Sequence, residues 1–438
     1  MADSSATNAI PNKMLSLPEI RADPDIVRAD LKKRGMGDRL SWVDEVIEKD
    51  ARWRSLKRET DDLRHKRNAA TEAIKLAKTD GGDMTSLIEA AKSIPKKIKA
   101  AEEEMTGLRE RIDHILMRLP NILHESVPSG ASDAENLVVK EAQGASPPGF
   151  ELVHHGQLAQ DLGVADFERA VKISGAGFYF LKGGLAIMDM ALQQLAVKML
   201  YERGYTIVEP PFMMRRKPYE GVTDLADFED VMYGIEGEDE YMIATSEHPI
   251  AAMYQDEILE PADLPIKYAG ISSCFRKEIG KHGLDERGLF RVHQFQKIEQ
   301  FIFCDPADSW ELHEKLLANA EDFMTALGIP YQVVNVCTGD MGTVASKKYD
   351  IEGYSPREDK FIELVSCSNC TAYQATRLNI RMRGKEGTKP LHTLNSTMVA
   401  TSRTLRLILE NYQREDGSVE VPKALLPYMN GIEELRSK

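Results

Sequence analysis

The sequence predicts an α+β chain, with an antiparallel coiled-coil arm at the N-terminus and a larger body in which strands alternate with helices. Three observations carry this. Between about Ser41 and Leu116, apolar residues recur at alternating spacings of three and four, the signature of helices packed along a seam. The pattern is broken at Asp80-Gly81-Gly82-Asp83, and one Gly-Gly tip between two helices of similar length makes an antiparallel hairpin. Beyond Gly149 the text changes to short alternating strands between helices, plainest in Ile271–Phe275 and Phe295–Phe303.

The 438 residues suffice for two or three domains. We divide them into an extension at 1–13, an arm domain at 14–120 and a body at 121–438. Residues Met1–Lys13 are small and polar without arginine, unlike a secretory or transit peptide, and are read as a disordered extension. No apolar run reaches the roughly 18–20 residues that span a bilayer, so no membrane partner and a cytoplasmic location are expected. The net charge of −14, from 56 Lys+Arg against 70 Asp+Glu, argues at first against a nucleic-acid partner. Its distribution softens that: residues 31–118 hold 21 basic against 17 acidic side chains, a net of +4, which leaves 35 against 53, a net of −18, elsewhere. The five cysteines form no disulfide framework and suit a reducing compartment. Cys367-Ser-Asn-Cys370 is a CxxC, but no second Cys/His pair at tight spacing accompanies it, so no structural zinc is expected.

In chain order, Leu17–Gly35 reads as one or two short helices ahead of a Gly turn. The outgoing seam is Val46, Trp53, Leu56, Leu63, Ala70, Ile74 and Ala77, with Thr60 and Arg67 on the same line. The return seam is Leu87, Ala91, Ile94, Ile98, Ala101, Met105, Leu108, Ile112 and Ile115, and Pro95 should kink or break that helix near the tip. Arg52, Arg54, Lys57 and Arg58 head a run of basic residues on the arm's outer faces. Such residues solvate any coiled coil, and they equally suit an arm of about 55 Å that reaches a distant nucleic acid.

Ser126–Gly149, rich in Pro, Gly and Ser, reads as a linker or irregular lead-in. Leu185–Arg203 is a helix that runs into the strand Gly204–Val208, closed by Pro210-Pro211. Tyr241–Glu247 reads as a strand whose Thr245-Ser246-Glu247 end is a capping box for a helix Glu247–Tyr254. Phe275-Arg276-Lys277-Glu278 and Arg291-Val292-His293-Gln294-Phe295 sit at the inner ends of the hairpin, around a segment containing Gly280, Gly283 and Gly288. Their charges and rings suit a polyanion with a flat base, or they only keep a sheet edge soluble. In the apolar strand Phe361–Asn369, Glu363 faces water from an edge, or is paired, or binds a cation. His392–Thr397 leads into a helix Arg403–Tyr412.

Phe275–Glu278 with Arg291–Phe295 resembles the second signature motif of class II aminoacyl-tRNA synthetases, in the form carried by seryl-tRNA synthetases. Companion motifs occur in order: Pro211 at the motif 1 proline, the Thr245-Ser246-Glu247 loop, the Glu363–Ser366 strand, and Arg403 at the motif 3 arginine. The resemblance runs from about Met14 to the C-terminus. Where many bacterial members have Asn-Gly-Ser-Gly, this chain has Asn395-Ser396-Thr397-Met398, as in the archaeal and eukaryotic branch.

The resemblance implies an antiparallel sheet flanked by helices and a homodimer through motif 1. The implied reaction is two-step: ATP and L-serine form seryl-adenylate, and the seryl group passes to tRNA(Ser), with charging of tRNA(Sec) left open. Arg276 would clamp the serine carboxylate and the α-phosphate. Lys277, Glu278, Val292, Phe295, Leu364 and Val365 would complete the ATP site, with Glu278 and the Val292 backbone reading adenine and Phe295 and Arg403 stacking on its faces. Glu363 and Ser366 would hold Mg²⁺. Thr245, Ser246, Glu247, Glu299 and Thr397 would surround the serine, and Arg276, Glu363 and Arg403 would act in catalysis. Arg52, Arg54, Lys57 and Arg58 would meet the tRNA. The alternatives are a non-catalytic paralogue, or an amino-acid ligase that loads a carrier protein.

Overall fold

The computed structural model describes residues 17–80, 85–224, 229–278 and 288–437. The extension 1–13, the Gly81-Gly82 tip, and Gly280 and Gly283 of the hairpin lie outside them. The chain divides into two compact units, Leu15–Pro120 and the part from Asn121 onward.

The first unit is helical: α1 (Leu17–Ala22), α2 (Pro24–Lys33), α3 (Leu40–Asp80), α4 (Thr85–Lys92) and α5 (Ile94–Leu116). α3 has 41 residues, about 60 Å at 1.5 Å per residue. The return path breaks at Ser93, and Pro95 sits in the first turn of α5, where its missing N–H costs nothing. The seam is buried at the base, through Val46, Leu56, Ile98, Ala101, Ile112 and Ile115. It opens outward, where Ile74 and Ala77 are only half-buried. Glu45–Arg111 (2.8 Å) and Arg52–Glu104 (2.7 Å) join α3 to α5 and fix their antiparallel register.

The second unit is built on an eight-stranded sheet. In chain order its strands are β1 (Leu137–Lys140), β2 (Thr206–Val208), β3 (Ile266–Phe275), β4 (Gln294–Cys304), β5 (Tyr331–Asn335), β6 (Lys347–Ser355), β7 (Lys360–Thr371) and β8 (His392–Ala400). They lie side by side as β1-β5-β6-β7-β8-β4-β3-β2, and β2 alone pairs in parallel. The expected irregular lead-in therefore contains an edge strand: Leu137-Val138-Val139 is β-branched enough to pair with β5. Glu363 pairs with Glu352 of β6, while β8 joins β7 only over Cys367–Thr371, and the Glu363 side chain is half-exposed.

Period-2 alternation sends each strand's residues to opposite faces. On β4, Ile298 and Ile302 enter a large core with α6 (Gly183–Glu202), α8 (Ser309–Leu327) and α9 (Thr401–Asn411). Phe301 and Phe303 enter a second cluster with Tyr219, Ile250 and Leu378. Lys297 and Glu299 share the face of Phe301. Across the register Glu299 faces Gly270 on β3 and Thr397 on β8, which puts the candidate side chains on the same side of the sheet.

Candidate active site

A short helix, α7 (Glu247–Ala252), sits on this face over β3. Gly270 makes room for it: a Cβ there would come within 2.6 Å of the Ile250 and Ser246 side chains. The expected capping box does not form. The Ser246 hydroxyl turns to the sheet and donates to the Gly270 carbonyl at 3.4 Å, while the Thr245 hydroxyl accepts from the Glu247 N–H at 3.3 Å. α7 also ends at Ala252, short of the expected Tyr254. The Glu247 carboxylate accepts from Gln374 (3.0 Å), which Thr393 steadies by donating at 2.7 Å.

Glu299 is 1% and Lys297 is 8% exposed. The two form an ion pair, and the Lys297 ammonium also donates to the Thr245 hydroxyl at 3.2 Å. Burial raises the Glu299 pKa, opposed by Lys297, Arg276 and a hydrogen bond from Thr397. Glu247 is pushed up to about 7 by burial and by the Glu299 charge, with Lys297 and Arg276 working against that. His248 is pulled down to about 3 by burial and the same two cations.

Arg276 follows the end of β3. Its guanidinium donates to the Ala244 carbonyl at 3.2 Å and lies 5.3 Å from the Phe295 ring centroid. It stabilises the charges of Glu247, Glu299 and Glu363, so it stands between the Glu247–Glu299 pair and Glu363. Its backbone is held by His293, whose main chain accepts from the Arg276 N–H at 3.0 Å and whose Nδ1 meets the Arg276 carbonyl at 2.8 Å. His293 in turn stacks on Phe178. At Gly177 (φ +81°) a Cβ would come within 2.4 Å of that imidazole. Lys277 lies 5.7 Å from the Tyr233 ring, and Glu278 pairs with Arg291 at 3.4 Å.

Glu363 and Ser366 are three apart on β7, a spacing that ideal alternation would split between faces. A β-bulge prevents this. Ser366 pairs with Asp350 and Glu363 with Glu352, two positions apart on β6, so Leu364 is the extra residue and Glu363 and Ser366 share a face. The Leu364 and Val365 side chains belong to the main core, so only their backbone is available to a ligand. Glu363 accepts from Arg403 at its carbonyl (2.8 Å) and carboxylate (3.4 Å). Lodging in the crevice opposes its charge, but Arg403, Lys348 and Arg276 prevail and hold its pKa below the ordinary value. The Arg403 guanidinium lies 5.1 Å from Phe290, not over Phe295, whose own neighbour is Arg276.

Asn395–Thr397 lies within strand β8. Met398 is a second bulged residue, with Thr397 opposite Glu299 and Val399 opposite Ile298. Substituting for the bacterial glycines thus leaves Thr397 beside Glu299. In the other unit, Arg52 is bidentate to Glu104 (2.7 and 3.0 Å) and Arg54 pairs with Asp50 at 2.9 Å. Lys57 stands 4.0 Å from Asp61, and Arg58 donates to the Arg54 carbonyl at 3.4 Å.

Sequence reading gave no role to Lys297, Gln374 or Phe290, and named Arg291 only as part of the motif. Lys297 was within reach, since a residue two before Glu299 on a strand shares its face. Gln374 carried no signal, because its place follows from tertiary packing alone.

Residues 14–123 match the model of the seryl-tRNA synthetase N-terminal domain, and residues 231–412 match that of the class II tRNA synthetase core domain for G, H, P, S and T. The serine--tRNA ligase of Methanoregula boonei is 59% identical over 96% of this chain and 100% of its own. The crystal structure of seryl-tRNA synthetase from Pyrococcus horikoshii complexed with ATP superposes with a TM-score of 0.91 at 44% identity, covering 97% of this chain and 100% of that one. That of the cytoplasmic serine-tRNA ligase from Naegleria fowleri with AMP gives 0.86 at 36% identity, over 97% and 99%. The chain therefore belongs to the seryl-tRNA synthetase family.

Proposed function

We propose that the crevice on this sheet face activates serine with ATP and transfers the seryl group to tRNA(Ser). The observation that supports it best is the shared face of Lys297, Glu299, Thr397, Glu363 and Ser366, with Arg276 at the end of the neighbouring strand. Adenylate formation is an in-line displacement at the α-phosphate, so the protein's work is positioning and charge neutralisation. Arg276 clamps the serine carboxylate and the α-phosphate with its planar fork. Thr245, Ser246, Glu247, Glu299 and Thr397 enclose the amino acid, with Glu299 and Thr397 meeting its hydroxyl. Glu278 and the Val292 backbone read adenine, and Arg403, Phe295 and the Lys277 charge complete the nucleotide site, alongside the backbone of Leu364 and Val365.

Among the described residues no cluster of three or more His, Cys, Asp or Glu side chains is arranged to hold a metal by itself. That suits Mg²⁺, which binds through one or two protein ligands plus phosphates. Glu363, half-exposed and held ionised, and Ser366 on the same face fit it. When bound, the ion neutralises phosphate charge.

The arm takes the tRNA. Arg52 and Arg54 are committed to carboxylates within it, which favours Lys57 and Arg58 as the phosphate contacts. We also propose a homodimer through the motif 1 helix α6, whose Met190 (58%) and Tyr201 (71%) are exposed and would be covered by a second copy. The five cysteines are all free thiols, and they support a cytoplasmic location; among the described residues no helix is long and apolar enough to cross a membrane.

The test is ATP–pyrophosphate exchange across the twenty amino acids. Serine alone should drive it, with alanine rejected up to about 10⁴-fold because it leaves buried polar groups unpaired. Equal stimulation by alanine or threonine would reject the assignment, and unchanged discrimination in Glu299→Ala would remove Glu299 from the hydroxyl site.

A further inference from the structure

We infer that Lys297 is a positioning residue for amino-acid recognition, one that fixes the donor and acceptor polarity of the serine pocket through Glu299 and Thr245. The inference rests on the site proposed above and gives a role to a residue outside it.

A lysine on a buried strand is costly unless its charge is matched, and here both members of the pair are buried. The match is Glu299, on the same strand and face. The ammonium's second partner defines the pocket further. The Thr245 hydroxyl has two lone pairs and one proton to offer. One lone pair accepts from Lys297 (3.2 Å) and the other from the Glu247 N–H (3.3 Å). Its proton is then what remains for a ligand, so Thr245 faces the crevice as a donor. Glu299, tied to Lys297 and shielded from bulk water, faces it as an acceptor. A serine hydroxyl can meet both, and a methyl group can meet neither.

The charge balance points the same way. The groups facing Lys297 are Glu247 and His248 on α7, Cys274 and Arg276 at the end of β3, and Glu299 beside it, with Thr397 approaching from β8. His248 and Cys274 are uncharged near neutral pH, the first because its pKa is pulled down to about 3 and the second because burial raises its pKa. Glu299 and Glu247, the second with its pKa pushed up to about 7, thus face the cations Lys297 and Arg276. Without Lys297 one of those two positive charges is gone, and Glu247 and Glu299 lose the cation that most opposes their protonation.

The experiment is ATP–pyrophosphate exchange with serine and with alanine across pH, on the full chain and on Lys297→Met and Lys297→Arg, with the KM for ATP measured in parallel. Lys297→Met should raise the serine KM at least about tenfold and cut serine-over-alanine discrimination by about tenfold or more, while the ATP KM stays within about twofold. Its acid limb should move to higher pH, because carboxylates that must be ionised take up protons more readily. Lys297→Arg, which retains the charge, should keep the parental acid limb. If Lys297→Met shows no ATP-induced thermal stabilisation and is misfolded, Lys297→Gln takes its place with the same expectations. Folded neutral variants that keep the parental discrimination and acid limb would overturn the inference, and so would an ATP KM that rises with the serine KM. The site reading is tested separately: if Glu299→Gln and Arg276→Ala leave serine-dependent exchange intact, the pocket lies elsewhere and both readings fall. If they abolish it and Lys297→Met does not change it, the inference alone falls.

Discussion

Removing the Arg276 side chain separates what the residue does for the fold from what it does for the reaction. Among the described residues its guanidinium makes one hydrogen bond, to the Ala244 carbonyl, and one ring contact, with Phe295. A net hydrogen bond and a cation–π contact amount together to about 1–2 kcal/mol. Arg276→Ala should therefore lower the melting temperature by only a few degrees. The reaction loses more, because a charge-assisted fork that tightens on the α-phosphate in the transition state disappears. That costs about 10²–10³ in rate, or roughly 2.7–4 kcal/mol. The variant should also lose activity at a higher pH than the parent, since Arg276 helps to keep Glu247, Glu299 and Glu363 ionised. Arg276→Lys restores a point charge without the fork and should recover only a small part of the rate. Serine-dependent exchange, thermal melting and ATP binding measured on the same preparations decide the matter. A fall in exchange below about fivefold, or one matched by global unfolding, would refute the reasoning.

Three further outcomes follow from other parts of the chain. Replacing residues 41–116 with a short Gly-Ser turn should keep serine-dependent adenylate formation within about tenfold and lower tRNA charging by orders of magnitude. Neutralising Lys57 and Arg58 should flatten the salt dependence of tRNA binding by up to about one unit of slope for each phosphate left without its cation. An armless protein that charges tRNA as well as the parent would make the arm a scaffold. In the core, burial opposes the Glu410 charge, but His155, Arg406 and Ser355 prevail and pull its pKa down to about 2, so its ionised form contributes roughly 3 kcal/mol that is present above about pH 4.5 and lost as pH falls toward 2. Acid unfolding of Glu410→Gln should lose that limb, and an unchanged acid midpoint would count against the network.

What could be read without coordinates followed from periodicity. The arm's two seams, the break before Pro95 and the β3–β4 pairing all rest on patterns of three-four or two that local sequence carries. The motif residues were visible too, but their geometry was not. Leu137–Lys140 looked like lead-in because four residues between Gly- and Pro-rich stretches carry no period of their own, and its strand exists only because β5 offers an edge. Thr245-Ser246-Glu247 has the letters of a capping box, yet Ser246 has a better partner in the Gly270 carbonyl, contributed by a distant strand. The arm arginines looked free because one sequence shows no cross-helix partner, whereas Arg52 is bound to Glu104 52 residues away.

The same dependence on distant strands explains how polar side chains come to share one face of a sheet whose other face enters the main core. Strict alternation would put Glu363 and Ser366 on opposite faces, one of them in the main core with Leu364 and Val365. The extra residue at Leu364 shifts the register by one and brings both polar side chains out, while the apolar pair is retained inside. Met398 does the same on β8: Thr397 stays opposite Glu299 on the ligand side, and Met398 and Val399 both enter the core. Each bulge costs ladder hydrogen bonds and local twist. What it gains is two adjacent apolar anchors beside a polar residue that is correctly aimed, an arrangement that regular strand cannot offer. Leu364 and Met398, whose own side chains lie in the core, thus decide which polar residues this face presents.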